Sequence, residues 1–446
     1  MSKVSTILIK NGTIVTMGEK NKVLTGHSLL IEGDKIKKIA PDKTFKGKYD
    51  QVIDAHGKVV MPGFINAHMH FYSTQVCGLG KAAPSKDFNQ VLKNLWWRLD
   101  KKLTLEDTYY STLMPLITAV KKGTTTFIDH HASPFAITGS LETIAKAVKK
   151  VGLRASLCYE LSDRDGQKIS DEGIAENANF IKKCNKEKDP QIKALFGLHA
   201  SFTIKDKTRE KAVEAASGLK TGFHVHTAEA ESDQAYNVKN FKKRVVNRLN
   251  SFGILGPKTI CAHCVHINPK EMDLLAETNT AVVHNPQSNM NNAVGVANLP
   301  AMAKKGITVG LGTDAMTVNM LEELRAAMWI RHLADKNPGS GFMEVLSTLA
   351  INNAKIANRH FGDSGVGILK EGFAADVILV DYFPWTPFDE TNFFGHLCFG
   401  IGNSTVDTTI ASGKVLMQNK KLKLDIDEEK FAAETLKLSK KLWERF

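Results

Sequence analysis

From residue 60 onward, short apolar runs alternate with longer stretches in which apolar positions recur at the 3.6-residue period of a helix. Eight runs have the character of buried strands: VVMPGFINAHMH (59–70), TTTFIDHH (124–131), RASLCYEL (154–161), IKALFGLHA (192–200), GFHVHTAE (222–229), TICAHCVHI (259–267), TAVVHNP (280–286) and ITVGLGTD (307–314). Between most of them lie segments such as TLEDTYYSTLMPLITAVKKG and KTREKAVEAASGLKTG, apolar on one helical face with a glycine near the stop. Eight strands with helical returns predict a (β/α)8 TIM barrel over residues 63–367, whose 305 residues exceed the ~250 typical of that fold by an amount insertions supply. The flanks, 1–62 and 368–446, read differently. TILIKNGTIVTM, SLLIEGDKIKKIA, ADVILVDY and TTIASGKVLMQNKKL alternate and carry turn signals, so both ends are expected to join in one small β-domain. An amphipathic helix over DEEKFAAETLKLSKKLWERF is expected to close it.

Composition adds few constraints. Hydrophobic residues at 43% and charged residues at 24% are ordinary for a globular protein and exclude disorder or a disulfide-dense scaffold. No stretch approaches the ~18 apolar residues of a membrane span, and MSKVSTILIKNG turns polar too soon for a signal peptide. A cytoplasmic protein with reduced cysteines and no membrane partner is expected. The net charge of +12 is mostly scattered lysine, without an arginine-rich, aromatic-interleaved stripe, which argues against specific nucleic-acid binding. Histidine is more informative, since ten of the 15 lie between His68 and His284.

Nearly every strand-like run ends in a histidine or a carboxylate, and a barrel collects those ends around one mouth. The spacing fits: 158 residues from His68 to His226 make four units, 37 to His263 make one, and 51 to Asp314 make two shorter ones. In His68-Met69-His70 the two imidazoles, at i and i+2, face the same side of an extended strand and can grip one metal. One ligand from each later group would add His226, from His224-Val225-His226, and Asp314, leaving Glu229 and His263 beside the metal. Three nitrogens and a carboxylate with two spare proton-transfer groups suit hydrolysis by activated water. CAHC (261–264) contains CxxC without a second such pair, so packing is the better reading. The HxE plus PCxxC pattern of zinc nucleoside deaminases is absent, as are HExxH, GxSxG and GxxxxGK[ST].

In order, PGFINAHMH, GLHASFT, HVHTAE, AHCVH, VVHNPQSNM and GLGTD resemble the amidohydrolase superfamily, in its cytosine-deaminase and chlorohydrolase branch. GLGKAAPSKDFNQVLKNLWWRLDKKLT and GTTTFIDHHASP further resemble SsnA-type aminohydrolases, a group associated with selenium metabolism in bacteria. The resemblance implies a distorted TIM barrel with a composite β-sandwich from both termini. It also implies metal ligation by His68, His70, His226 and Asp314, proton transfer by Glu229 and His263 with help from Asp314, and substrate contact by His199. Dinuclear members need a carboxylated lysine late in strand four; here that strand ends in His199 and its one lysine, Lys193, lies near the beginning, so a single divalent ion per chain is expected. Zinc is the first choice, and ferrous iron or manganese also suit the donor set.

Some positions depart from the family. Where related deaminases place a substrate-contacting glutamate before LT, WRLDKKLT offers Asp100; after the last-strand aspartate, Ala315-Met316-Thr317-Val318-Asn319 replaces the usual GAAS, leaving Asn319 as a candidate contact. Trp97, beside Trp96, is a candidate for stacking on an aromatic ring. The expected activity is removal of an amino group, as ammonia, from a purine-, pyrimidine- or triazine-like heterocycle, with a homodimer as the expected assembly. Loss of chloride at the same site, or an accessory role in the maturation of another enzyme, are the rival readings.

Overall fold

The computed structural model describes residues 4–446. Strands from both flanks share one nine-stranded sheet: β1 (Thr6–Val15), β2 (Val23–Glu32), β3 (Lys35–Pro41), β4 (Gln51–Asp54) and β5 (Val59–Pro62) with strands from 377–422 described below. The first apolar run therefore serves two bodies. It divides at Gly63, where an added Cβ would lie 2.2 Å from Thr125 Oγ1, so only glycine lets the chain pass from the terminal sheet into the barrel. Beyond it, β6 (Phe64–Met69), β7 (Thr124–Asp129), β8 (Arg154–Leu157) and β9 (Ile192–Ala194) pair in parallel, and β10 (Phe196–Ala200), β11 (Phe223–Thr227), β12 (Ile260–His263), β13 (Ala281–His284) and β14 (Val309–Leu311) form a second parallel set. The fourth predicted run is thus two strands, β9 and β10, broken at Leu195. Bridges Leu161↔Leu198 and Met69↔Asp314 join the two sets into a closed ring.

The barrel strands are buried on both faces, which is why they read as near-continuous apolar runs. The helical returns carry their own signals. Leu105–Lys122 starts on a reciprocal Thr104–Asp107 capping box and stops at Gly123, whose φ of 73° is a left-handed C-cap. In the terminal sheet, β15 (Val377–Val380) lies against β5, and β16 (Val406–Ala411), β17 (Lys414–Gln418) and β18 (Lys421–Leu422) extend the edge. Ile9, Leu29, Ile31, Ile53, Val60, Val377 and Ile410 bury together beneath it.

The final helix, Glu428–Arg445, corrects the expectation that it completes the terminal domain. It lies instead on the barrel helix Leu105–Lys122: Phe431 stacks on Tyr110 at 5.7 Å, Trp443 Nε1 donates to Gln75 O at 2.8 Å, and Arg445 donates to Asp107 at 2.5 Å. Leu442 is the apolar residue it buries fully, in a cluster with Tyr72, Leu99, Leu103 and Ala132. No helix among the described residues is long and apolar enough to cross a membrane.

Arg154 is the deepest tie between the two bodies. It is 1% exposed at the start of β8, and its Nε donates to Asp376 Oδ2 at 2.7 Å while Nη1 donates to Pro190 O at 2.8 Å. Removing one member strands a buried charge, whereas replacing both with apolar groups removes the desolvation cost as well. Arg154→Ala should therefore cost about 3–5 kcal/mol in urea unfolding, and Arg154→Met with Asp376→Leu should recover much of it; a loss under about 1 kcal/mol for the single change would contradict the role.

Candidate active site

The strand ends at one mouth of the barrel leave the extended region abruptly. Ala228, His263, Cys264 and Asp314 all have left-handed φ, between 47° and 71°. Such strain in non-glycine residues persists only where surrounding contacts over-determine it, and it turns successive side chains toward the barrel axis. Gly312 allows the close approach of β14 to β6, since a Cβ there would lie 2.7 Å from His68 Cβ. His68, His70, His226, Asp314, Glu229 and His263, drawn from strands far apart in the chain, come together at this point.

The far nitrogens of two of these histidines are committed. His70 Nδ1 donates to His130 O at 2.5 Å and His226 Nδ1 donates to His199 O at 2.9 Å. Nε2 of each ring is then turned toward the other at 3.0 Å, and in their neutral forms the two rings would set lone pair against lone pair, a conflict that a proton or a metal cation between them removes. His68 Nε2 is buried with no hydrogen-bond partner, its Nδ1 lying 2.9 Å from His224 Nε2. Asp314 Oδ1 is 3.2 Å from His70 Nε2. Ligands about 2.1 Å from a tetrahedral zinc lie about 3.4 Å apart, so these converging acceptors have the spacing and chemistry of a divalent-ion site. The sets His68/His70/Asp314 and His68/His226/His263 are each close enough to share an ion.

Next to it sits a pair of opposite proton character. His263 Nδ1 donates to Asn289 Oδ1 at 2.8 Å, which leaves Nε2 as a base 3.6 Å from Glu229 and 3.7 Å from Asp314. Burial holds His263 below the usual histidine range and therefore neutral. Burial, reinforced by the charge of Asp314, pushes the Glu229 carboxyl well above its usual range, which favours its acid form. A neutral acid and a free base facing one centre are the requirements of a hydrolytic proton shuttle.

Residues 59–416 match the amidohydrolase family. The chain belongs to the amidohydrolase family. It is 32% identical over 442 residues to a 5-methylthioadenosine/S-adenosylhomocysteine deaminase of Carboxydothermus hydrogenoformans, covering 98% of both chains. It is 33% identical over 444 residues to a 5'-deoxyadenosine deaminase of Methanosarcina mazei, again covering 98% of each. Among solved structures, an adenosine deaminase from Xanthomonas campestris with bound zinc superposes with a TM-score of 0.85 at 22% identity, over 98% of both chains, which shows the shared fold.

This amidohydrolase has a cavity over the histidine cluster, roofed by Phe88, Leu92, Trp96, Trp97 and Phe202. His199 and Trp97 line it with their rings edge-to-face, 6.2 Å apart. Two expected contacts do not line it. Asp100 is 1% exposed and turns away to pair with Arg164, whose guanidinium lies over Trp97. Asn319 ends the loop before the helix Met320–Asp335, its backbone N–H bonded to Thr317 Oγ1. The CAHC cysteines are buried packing residues, and all six thiols are free.

Four residues with parts in the site went unassigned from the sequence. Asn289 sets the tautomer of His263, and His224 orients His68. Glu160 lines the cavity with its carboxylate 3.1 Å from His130 Nδ1 and 3.4 Å from His199 Nε2; although burial would raise it, the neighbouring His199 and His130 hold it well below the usual range. The runs TTTFIDHH and RASLCYEL do end in these groups and are neighbours in a barrel, so their adjacency was the available signal. If the facing lone pairs hold a divalent ion, stripping with a chelator should lower the melting temperature by several degrees and added zinc should restore it. His70→Ala should abolish that response, and an unchanged melting temperature in the stripped wild type would refute the site.

Proposed function

We propose that this amidohydrolase is a divalent-metal-dependent deaminase of an aminated heterocycle, with His68, His70, His226 and Asp314 holding one ion. The reading is carried by the pairing of a neutral Glu229 carboxyl with an unprotonated His263 Nε2 beside that cluster, and it is supported by the deaminase names of the relatives above. Zinc is the first choice, since three imidazoles and a carboxylate match its preference. When bound, the ion supplies the Lewis acidity that makes water a nucleophile near neutral pH.

The chain's own groups then divide the proton traffic. His263 Nε2, with Asp314 beside it, accepts the proton of the attacking water. Glu229 delivers its proton to the ring nitrogen next to the amine-bearing carbon, which makes that carbon electrophilic. Proton return to the amine lets it leave as ammonia. Asn292, 3.5 Å from Glu229, and Ser288, 2.5 Å from Asp314 Oδ2, hold the two carboxyl groups in place.

Glu229→Gln keeps the shape and cannot cycle a proton, so kcat should fall about 10²–10⁴-fold with metal content unchanged by elemental analysis. Because the Glu229 carboxyl is raised, its acid form is present below its folded pKa and lost above it, so wild-type turnover should decline on the alkaline side. Full activity in the Gln variant would overturn the assignment.

A further inference from the structure

The cavity wall away from Glu229 is built from groups to which the assignments above give no part in ion binding or proton transfer, although Glu160 and His130 stand close enough to His70 and His226 to share an ion with them. Its carboxylate, Glu160, is 5% exposed. His130 sets Nδ1 3.1 Å from Glu160 Oε2 and Nε2 3.1 Å from His224 O, so the ring is held on both sides and braces the carboxylate. Among the described residues, the cavity is lined by Glu160, Glu229, Asp233 and Asp314 and by no lysine or arginine. Away from the ion cluster, no lysine or arginine stands along this wall to pair with a phosphate or a carboxylate tail, and burying such a group without a partner is costly.

The cavity is also small, about 60 Å³, against roughly 300–1,000 Å³ for typical small-molecule sites. Its roof is held by several ties at the end of the segment that carries Trp96 and Trp97. Arg164 pairs with the buried Asp100, Lys101 reaches Asp165 at 2.6 Å, Arg98 donates to Phe446 O at 2.7 Å, and Arg445 donates to Lys102 O at 3.2 Å.

We propose that Glu160 is a specificity-determining residue that accepts hydrogen bonds from N–H groups of a compact, uncharged or protonated heterocycle bound as the free base, without sugar, phosphate or amino-acid tail. The proposal rests on the deaminase reading for its chemistry and on the cavity for its selectivity. It departs from the nucleoside and S-adenosylhomocysteine substrates in the relatives' names.

The test measures ammonia release and thermal stabilisation of the metal-loaded protein with guanine, adenine and cytosine, and with adenosine, 5'-deoxyadenosine and S-adenosylhomocysteine. At least one free base should show kcat/KM tenfold or more above every nucleoside, and the same base should raise the melting temperature. Glu160→Gln should raise KM for that base at least tenfold, with kcat within about threefold and metal content unchanged, a split that a merely structural defect would not give. Turnover of a nucleoside or of S-adenosylhomocysteine at or above the rate of the bases overturns the proposal, as does an unchanged KM in the variant. Stabilisation by a base without ammonia release from any compound would sink the deaminase reading and leave the selectivity standing; no stabilisation and no release would overturn both. Should the variant fail to fold, the wild-type comparison decides alone.

Discussion

Two imidazole nitrogens facing each other at 3.0 Å cannot both present bare lone pairs, so a proton or a metal cation has to lie between them. The barrel holds His70 and His226 in this arrangement by binding their other nitrogens to the carbonyls of His130 and His199, residues at the ends of neighbouring strand runs. The hydrogen bonds that close the ring run through the same place. Thr313 and Asp314 both donate their backbone N–H to His68 O, and His70 donates to Asp314 O. Closing the barrel between β14 and β6 and assembling the ligand cluster are therefore one event, and a chain that failed to close would have no site. The left-handed turns at His263 and Asp314 are tolerated on the same account, because the closure contacts and the cluster over-determine them.

What the sequence made legible followed from periodicity. His68 and His70 share a face because strands repeat every two residues, and the order of the polar strand ends follows from the winding of a barrel. What it hid depended on contacts between elements. The break at Gly63 is dictated by Thr125 on the neighbouring strand, and nothing in VVMPGFINAHMH itself marks it. The tautomers of His263 and His68 depend on Asn289 and His224; the pairing of β12 with β13 brings the first pair close, and closure of the barrel brings the second. Asp100 was placed in the substrate site by analogy with a glutamate one methylene longer; Arg164, unremarkable in the sequence, claims it instead.

That capture of Asp100 changes what the outer parts of the chain are for. The final helix was expected to finish the terminal domain, yet it rests on Leu105–Lys122, and its last residues hold Arg98 and Lys102 on either side of the buried Asp100. Phe446 additionally receives the Arg98 guanidinium on its ring face at 4.2 Å. The segment bearing Trp96 and Trp97 is thus pinned from inside by Arg164 and from outside by the C-terminus. The wall that limits the cavity is set by residues that do not line it. Small changes in such supports shift a roof residue by an amount that matters to a snug ligand, so the shape of the cavity depends on the barrel, the roof segment and the last helix together, while the histidine and carboxylate cluster is set at the seam between β14 and β6.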